Sequence, residues 1–144
     1  MAQQIPSNSY VAIDYFDYAK QFLHSYRQLP SLNGPNWPKY FLFTHSIELV
    51  IKSFLIRSGV EFAEIQNKFG HNIEKLLCEA QSKGLQLPDK IASEILLLNE
   101  IHCKHWARYP KFNSKPVFVI EDFEASADAI FLLVSQYIFQ VNDC

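Results

Sequence analysis

The run His102-Cys103-Lys104-His105 gathers an imidazole pair, a thiol and an ammonium within one turn of chain. His102 and His105 stand at i,i+3, a spacing that shares one helix face and suits a metal. Zinc takes three or four ligands, and no second ligand pair stands out elsewhere in the sequence. The reading is therefore no metal and no cofactor, with polar residues closing a helix. Cys103 near His105 would suit a thiol nucleophile, but residues two apart on a helix point to different faces. No Gly-rich phosphate loop and no Gly-x-Ser-x-Gly elbow are present.

Two further groupings carry charge. Glu48 and Lys52 are spaced i,i+4, acid first, the favourable order on a helix. Their helix is otherwise apolar, so the pair reads as a structural ion pair. From His102 to Lys115 the chain holds Lys104, Arg108, Lys111 and Lys115 without an acid, interleaved with His105, Trp106 and Tyr109. Cations beside stacking rings suit a phosphate, a nucleotide or an RNA strand, so Lys104, His105, Arg108, Tyr109 and Lys111 are the candidate ligand residues. The competing reading is a solvated loop whose charges balance the acidic start of the last helix.

Such groups need a scaffold, and 144 residues suffice for one domain, 1–144, with its own core. Hydrophobic residues are 49% and charged residues 19% of the chain, which excludes a disordered polyampholyte. A net charge of −2 excludes a general nucleic-acid coat and leaves only local patches for phosphate. No apolar run is long enough to span a membrane, and the first residues lack the basic-then-apolar pattern of a secretory signal. Three cysteines, Cys78, Cys103 and Cys144, without repeat spacing read as free thiols in a reducing cytoplasm.

Periodicity sets the elements. The spacing predicts helices over about Ser9 to Gln28, Pro38 to Ser58, Ile73 to Ser82, Pro88 to Trp106 or Arg108, and Glu121 to Val141. A short helical turn is expected within Glu61 to Phe69. Asn36 is placed to cap the second helix and Pro38 to open it, with Gly59 just past its end. That helix is apolar on nearly every side, so it belongs at the centre. Val117-Phe118-Val119-Ile120 is the best strand candidate, but four residues without a partner make no sheet. The expected class is all-α: an antiparallel bundle of four long helices plus a shorter one.

Three stretches in order resemble the HEPN family of small helical domains. His45-Ser46-Ile47-Glu48-Leu49-Val50-Ile51-Lys52-Ser53-Phe54-Leu55 is similar to the family's second helix. Gly70-His71-Asn72-Ile73-Glu74-Lys75-Leu76-Leu77 resembles its Gly/His–Asp–Leu turn, and Ala107-Arg108-Tyr109-Pro110 its Arg-Tyr-Pro motif. The resemblance covers residues 10 to 141. It implies nucleotide or RNA association, a homodimer, and in many members a nucleotidyltransferase partner protein. Other members are metal-independent ribonucleases, including toxins, that use Arg, four to six residues, then His. That spacing is missing here: Asn113, Ser114 and Lys115 stand at the permitted positions after Arg108, Phe62 to Glu64 after Arg57, and Leu32 to Gly34 after Arg27. The resemblance thus implies a non-catalytic binding or partner-docking domain. The enzyme alternative is an endoribonuclease using Arg108 with His105, or with His71, as a displaced acid–base group.

Overall fold

The computed structural model describes residues 7–105, 107 and 118–140. Its regular elements are all helical among those residues: α1 (Ser7–Gln28), α2 (Trp37–Arg57), α3 (Phe62–Glu64), α4 (Ile73–Ser82), α5 (Asp89–Cys103) and α6 (Glu124–Ile138). A single bridge between Leu32 and Gly34 is the nearest approach to β-structure. No described helix is long and apolar enough to cross a membrane.

Local chemistry explains where the central helix begins and ends. The Asn36 side chain accepts from the Lys39 amide, and Pro38 sits in the first turn, where its missing N–H costs nothing. Gly59 closes α2 at φ 99°, a left-handed conformation in which its lack of a Cβ matters. Between those ends, Phe43, Ile47, Val50, Ile51 and Leu55 are wholly buried. Helix α2 packs on α1, α4, α5 and α6, so its apolar circumference has a neighbour on every side.

The surrounding helices supply one stripe each. Phe16, Leu23 and Tyr26 come from α1, Leu76 and Leu77 from α4, Ile95, Leu98 and Ile101 from α5, and Ile130 and Val134 from α6. Polar clasps tie the start of α6 to the other side of the bundle. Tyr26 Oη donates to Glu124 at 2.9 Å, Lys39 Nζ meets Glu121 at 2.9 Å, and Arg27 meets Asp128 at 2.6 Å. Two acids at the start of the last helix, Glu121 and Asp128, thus have cationic partners on α2 and α1.

Four helices, α1, α2, α5 and α6, run 15 residues or more, α4 spans the 10 residues expected for the shorter one, and the three-residue helix α3 falls in the stretch where a short helical turn is expected. That short helix widens into a π-helical turn, Ile65–Phe69, which ends with the Gly70 amide donating to the Ile65 carbonyl at 3.2 Å. Helix α5 stops at Cys103 rather than near Trp106, because His105 turns left-handed at φ 57° and its amide caps the His102 carbonyl at 3.1 Å. The last helix opens with a 3₁₀ turn, Ile120–Phe123, which takes in the end of the strand candidate.

Truncating Ile51, whose side chain is wholly buried, to Ala should open a cavity in the core. The expected loss is about 2–5 kcal/mol, read as a lowered urea midpoint with the slope unchanged.

Candidate functional site

A carboxylate sits inside this core. Glu48 belongs to the stretch of α2 that also carries Ile47 and Ile51, and only 1% of its side chain reaches solvent. Its two oxygens face nitrogen groups from three elements. Oε1 lies 2.7 Å from His102 Nε2 of α5 and 2.8 Å from His71 Nδ1, in the turn before α4. Oε2 lies 3.2 Å from Lys52 Nζ and 3.5 Å from His45 Nδ1, one helical turn away on either side along α2. An ionised carboxylate only accepts, so His71 Nδ1 and His102 Nε2 both carry their protons toward it.

Each histidine is placed by its own supports. His102 Nδ1 meets Thr44 Oγ1 at 3.0 Å, which fixes that ring from behind. The His45 ring is held between Phe41, stacked at 5.3 Å, and Phe22, edge-on at 4.6 Å. His71 depends on the backbone. Gly70 adopts φ 53°, ψ −123°, which a side chain would strain, and this reverses the chain just ahead of it. The following helix is then pinned to α5: the Ile73 amide donates to Asn99 Oδ1 at 2.8 Å, and Asn99 Nδ2 reaches Asn72 Oδ1 at 3.4 Å.

Burial alone would push the Glu48 pKa up. The His102 hydrogen bond and the charges of Lys52, His102 and His45 outweigh it and hold the carboxyl at about 2 instead of 4.5. The same negative charge, added to burial, raises the Tyr15 phenol. Glu48 is thus a fixed anion, unsuited to giving up a proton near neutrality and suited to orienting imidazoles.

His71 differs from the others in reaching water. Its side chain is 48% exposed while Nδ1 is committed to Glu48, so Nε2 is the nitrogen left for chemistry. Its ring lies 6.0 Å from that of His105 and 6.2 Å from that of His102. The row His102, His71, His105 therefore leads from the core to the place where the basic segment begins.

The residues singled out in the sequence fall unevenly around this centre. Glu48 and Lys52 form the i,i+4 pair, but as part of a larger hub. His105 is beside His71, off the end of α5 and not on its face. Lys104 is exposed and meets Glu100 at 2.8 Å. Arg108, Tyr109 and Lys111, with Trp106 and Lys115, lie outside the described residues, as does Cys144. Cys78 and Cys103 are free thiols, and burial raises the Cys103 thiol, which disfavours the thiolate a nucleophile needs.

Lacking a second ligand pair beside His102 and His105, the sequence implies no metal. The structure breaks up that pair and assembles another set: donor atoms of His45, Glu48 and His102 all lie within 4.8 Å of one another. The signal was the polar stripe His45, Glu48, Lys52 on an otherwise apolar helix, which demands buried partners from elsewhere. Comparison with family models, curated proteins and solved structures finds no match to the chain.

The depressed Glu48 pKa fixes the sign of a pH dependence. Its folded value lies below its unfolded one, so its stabilisation is complete above about pH 4.5 and drains away as pH falls toward 2. Urea midpoints should drop through this window by the equivalent of about 3 kcal/mol. Glu48→Gln should lose about 3–5 kcal/mol at neutral pH, since Lys52 stays buried without its counter-charge, and should flatten the acid dependence. An equally steep acid profile in the variant would place the titrating group elsewhere.

Proposed function

We propose that the chain is a HEPN-like helical domain that binds a nucleotide or RNA phosphate without cleaving it, through His71 and His105 and the basic Arg-Tyr-Pro strip that follows His105 in the sequence. The observation that carries this reading is the exposed imidazole of His71, anchored by buried Glu48, beside His105 at the head of that segment. With Nδ1–H held by Glu48, the outward Nε2 of His71 donates to an anion in the imidazolium form, and the segment adds Arg108 and Lys111 for charge and Tyr109 for stacking. The central apolar helix and the order of the three sequence stretches support a HEPN-like bundle.

The aromatic excess and the family resemblance support a homodimer, and the resemblance also supports a nucleotidyltransferase as partner protein. Exposed Leu96 and Leu97 on α5 and Leu132 on α6 add apolar surface to that case. The free thiols fit a reducing cytoplasm.

One observation favours the endoribonuclease alternative. Two imidazoles 6.0 Å apart, one backed by a carboxylate, are the parts a general base and a general acid require. In that reading His71 Nε2 removes the 2′-hydroxyl proton and His105 protonates the leaving 5′-oxygen, while Arg108 neutralises the phosphate.

Binding of a fluorescent single-stranded RNA and of ATP separates the readings. Affinity should fall with added salt, and Arg108→Ala should weaken it by about 1–3 kcal/mol with helicity intact. His71→Ala should weaken binding without exposing the core. No cleavage products are expected; cleavage abolished in His71→Ala and in His105→Ala would replace the binding reading with the enzyme one. If neither RNA nor ATP binds at low salt, the ligand surface is excluded and partner docking is left. Light scattering at the mass of two chains is expected, against 16.7 kDa for one.

A further inference from the structure

We propose that His45, Glu48 and His102 form a buried zinc site of two imidazoles and one carboxylate. Zinc is bound by nitrogen and oxygen donors of this kind, and three protein ligands leave a fourth position for water. The case rests on the geometry of the centre and is independent of phosphate binding.

Several features favour a metal. The three donor atoms lie within 4.8 Å of one another, against roughly 3.3 Å between ligands around a tetrahedral zinc, so modest side-chain rotations would bring them to one ion. They come from two helices that the core already fixes, α2 and α5. Glu48 and His102 are almost fully buried and His45 nearly so, with side-chain exposures of 1%, 2% and 18%. Their outer supports are of the type metal ligands need. Thr44 steadies His102 through the nitrogen turned away from Glu48, two phenyl rings steady His45, and His71 donates to the carboxylate from outside the triad. Zinc would take the Nε2 position that now carries the proton directed at Glu48, and the ring would keep one proton on Nδ1, donated to Thr44 Oγ1.

Lys52 opposes the ion. Its ammonium, 3.2 Å from Glu48 Oε2, already neutralises the one anionic ligand. The lysine stem must carry that charge aside when zinc binds, which sets a limit on affinity and supplies a distinctive test.

The experiment is titration of the metal-stripped full chain with zinc by calorimetry, and with cobalt(II) as a spectroscopic probe. One metal per chain is expected, with ligand-field bands of a nitrogen and oxygen environment and no thiolate charge-transfer band. Zinc should raise the melting temperature of the wild-type chain. His45→Ala and His102→Ala should each weaken uptake by more than about 100-fold, and His71→Ala by about 10- to 100-fold. Lys52→Gln should tighten uptake roughly tenfold, because a like charge leaves the centre. His45→Ala, the least buried of the ligand variants, keeps the test valid if His102→Ala fails to fold, with circular dichroism as the check. Absence of stoichiometric zinc in the folded wild-type chain would overturn the site. So would uptake that survives His45→Ala, a thiolate band removed by Cys103→Ser, or a Lys52→Gln variant that binds no more tightly.

Discussion

A carboxylate inside a helical core must either be met by donors or give up its charge, and here it is met. Glu48 draws Lys52 and His45 from its own helix, His102 from α5 and His71 from the turn before α4. The same atoms that satisfy the anion therefore join three segments of chain. Apolar packing would let α5 and α4 settle against α2 in several registers at similar cost. Hydrogen bonds of 2.7 and 2.8 Å to one oxygen are far less tolerant of a slip.

The second set of constraints works on the turn that carries His71. Gly70 supplies a backbone conformation unsuited to a side chain, and Asn72 and Asn99 accept from the Lys75 and Ile73 amides at the start of α4. Local chain chemistry and the long-range hydrogen bond to Glu48 thus agree on one position for the imidazole. A half-exposed histidine on a short turn would ordinarily sample several rotamers. Here one ring nitrogen is held from below, and only the other is presented outward.

Much of the scaffold was legible in the sequence because it rests on local rules. Asn36 and Pro38 announce the start of α2, Gly59 its end, and the unbroken apolar surface of that helix its central place. The site was harder to read. The Glu48–Lys52 pair follows from an i,i+4 spacing, but His71 and His102 reach Glu48 across separations of 23 and 54 residues, which no periodicity encodes. The end of α5 was also obscured. No Gly or Pro stands at residues 104 and 105, and the helix stops through a left-handed histidine, a conformation that most non-glycine residues avoid. That single turn separates His105 from the helix face it was expected to share with His102.

The histidines around Glu48 then differ in what they can do, although all neighbour one anion. His102 is sealed in and braced at both nitrogens, so it can exchange a proton or a metal only within the core. His45 is clamped by aromatic rings near the mouth of the centre. His71 alone combines a fixed orientation with solvent access, which is what binding or proton transfer at a surface demands. Because Glu48 touches all of them, a change of charge at any one alters the field at the others, and the low dielectric of the site keeps that influence from being screened. An ion bound at the inner end of the row would be felt at His71 through the shared carboxylate. The inner centre and the outer surface are thus joined by one residue, and substitutions at Glu48 will perturb packing, metal uptake and surface binding together, whereas one at His45 can separate metal uptake from surface binding.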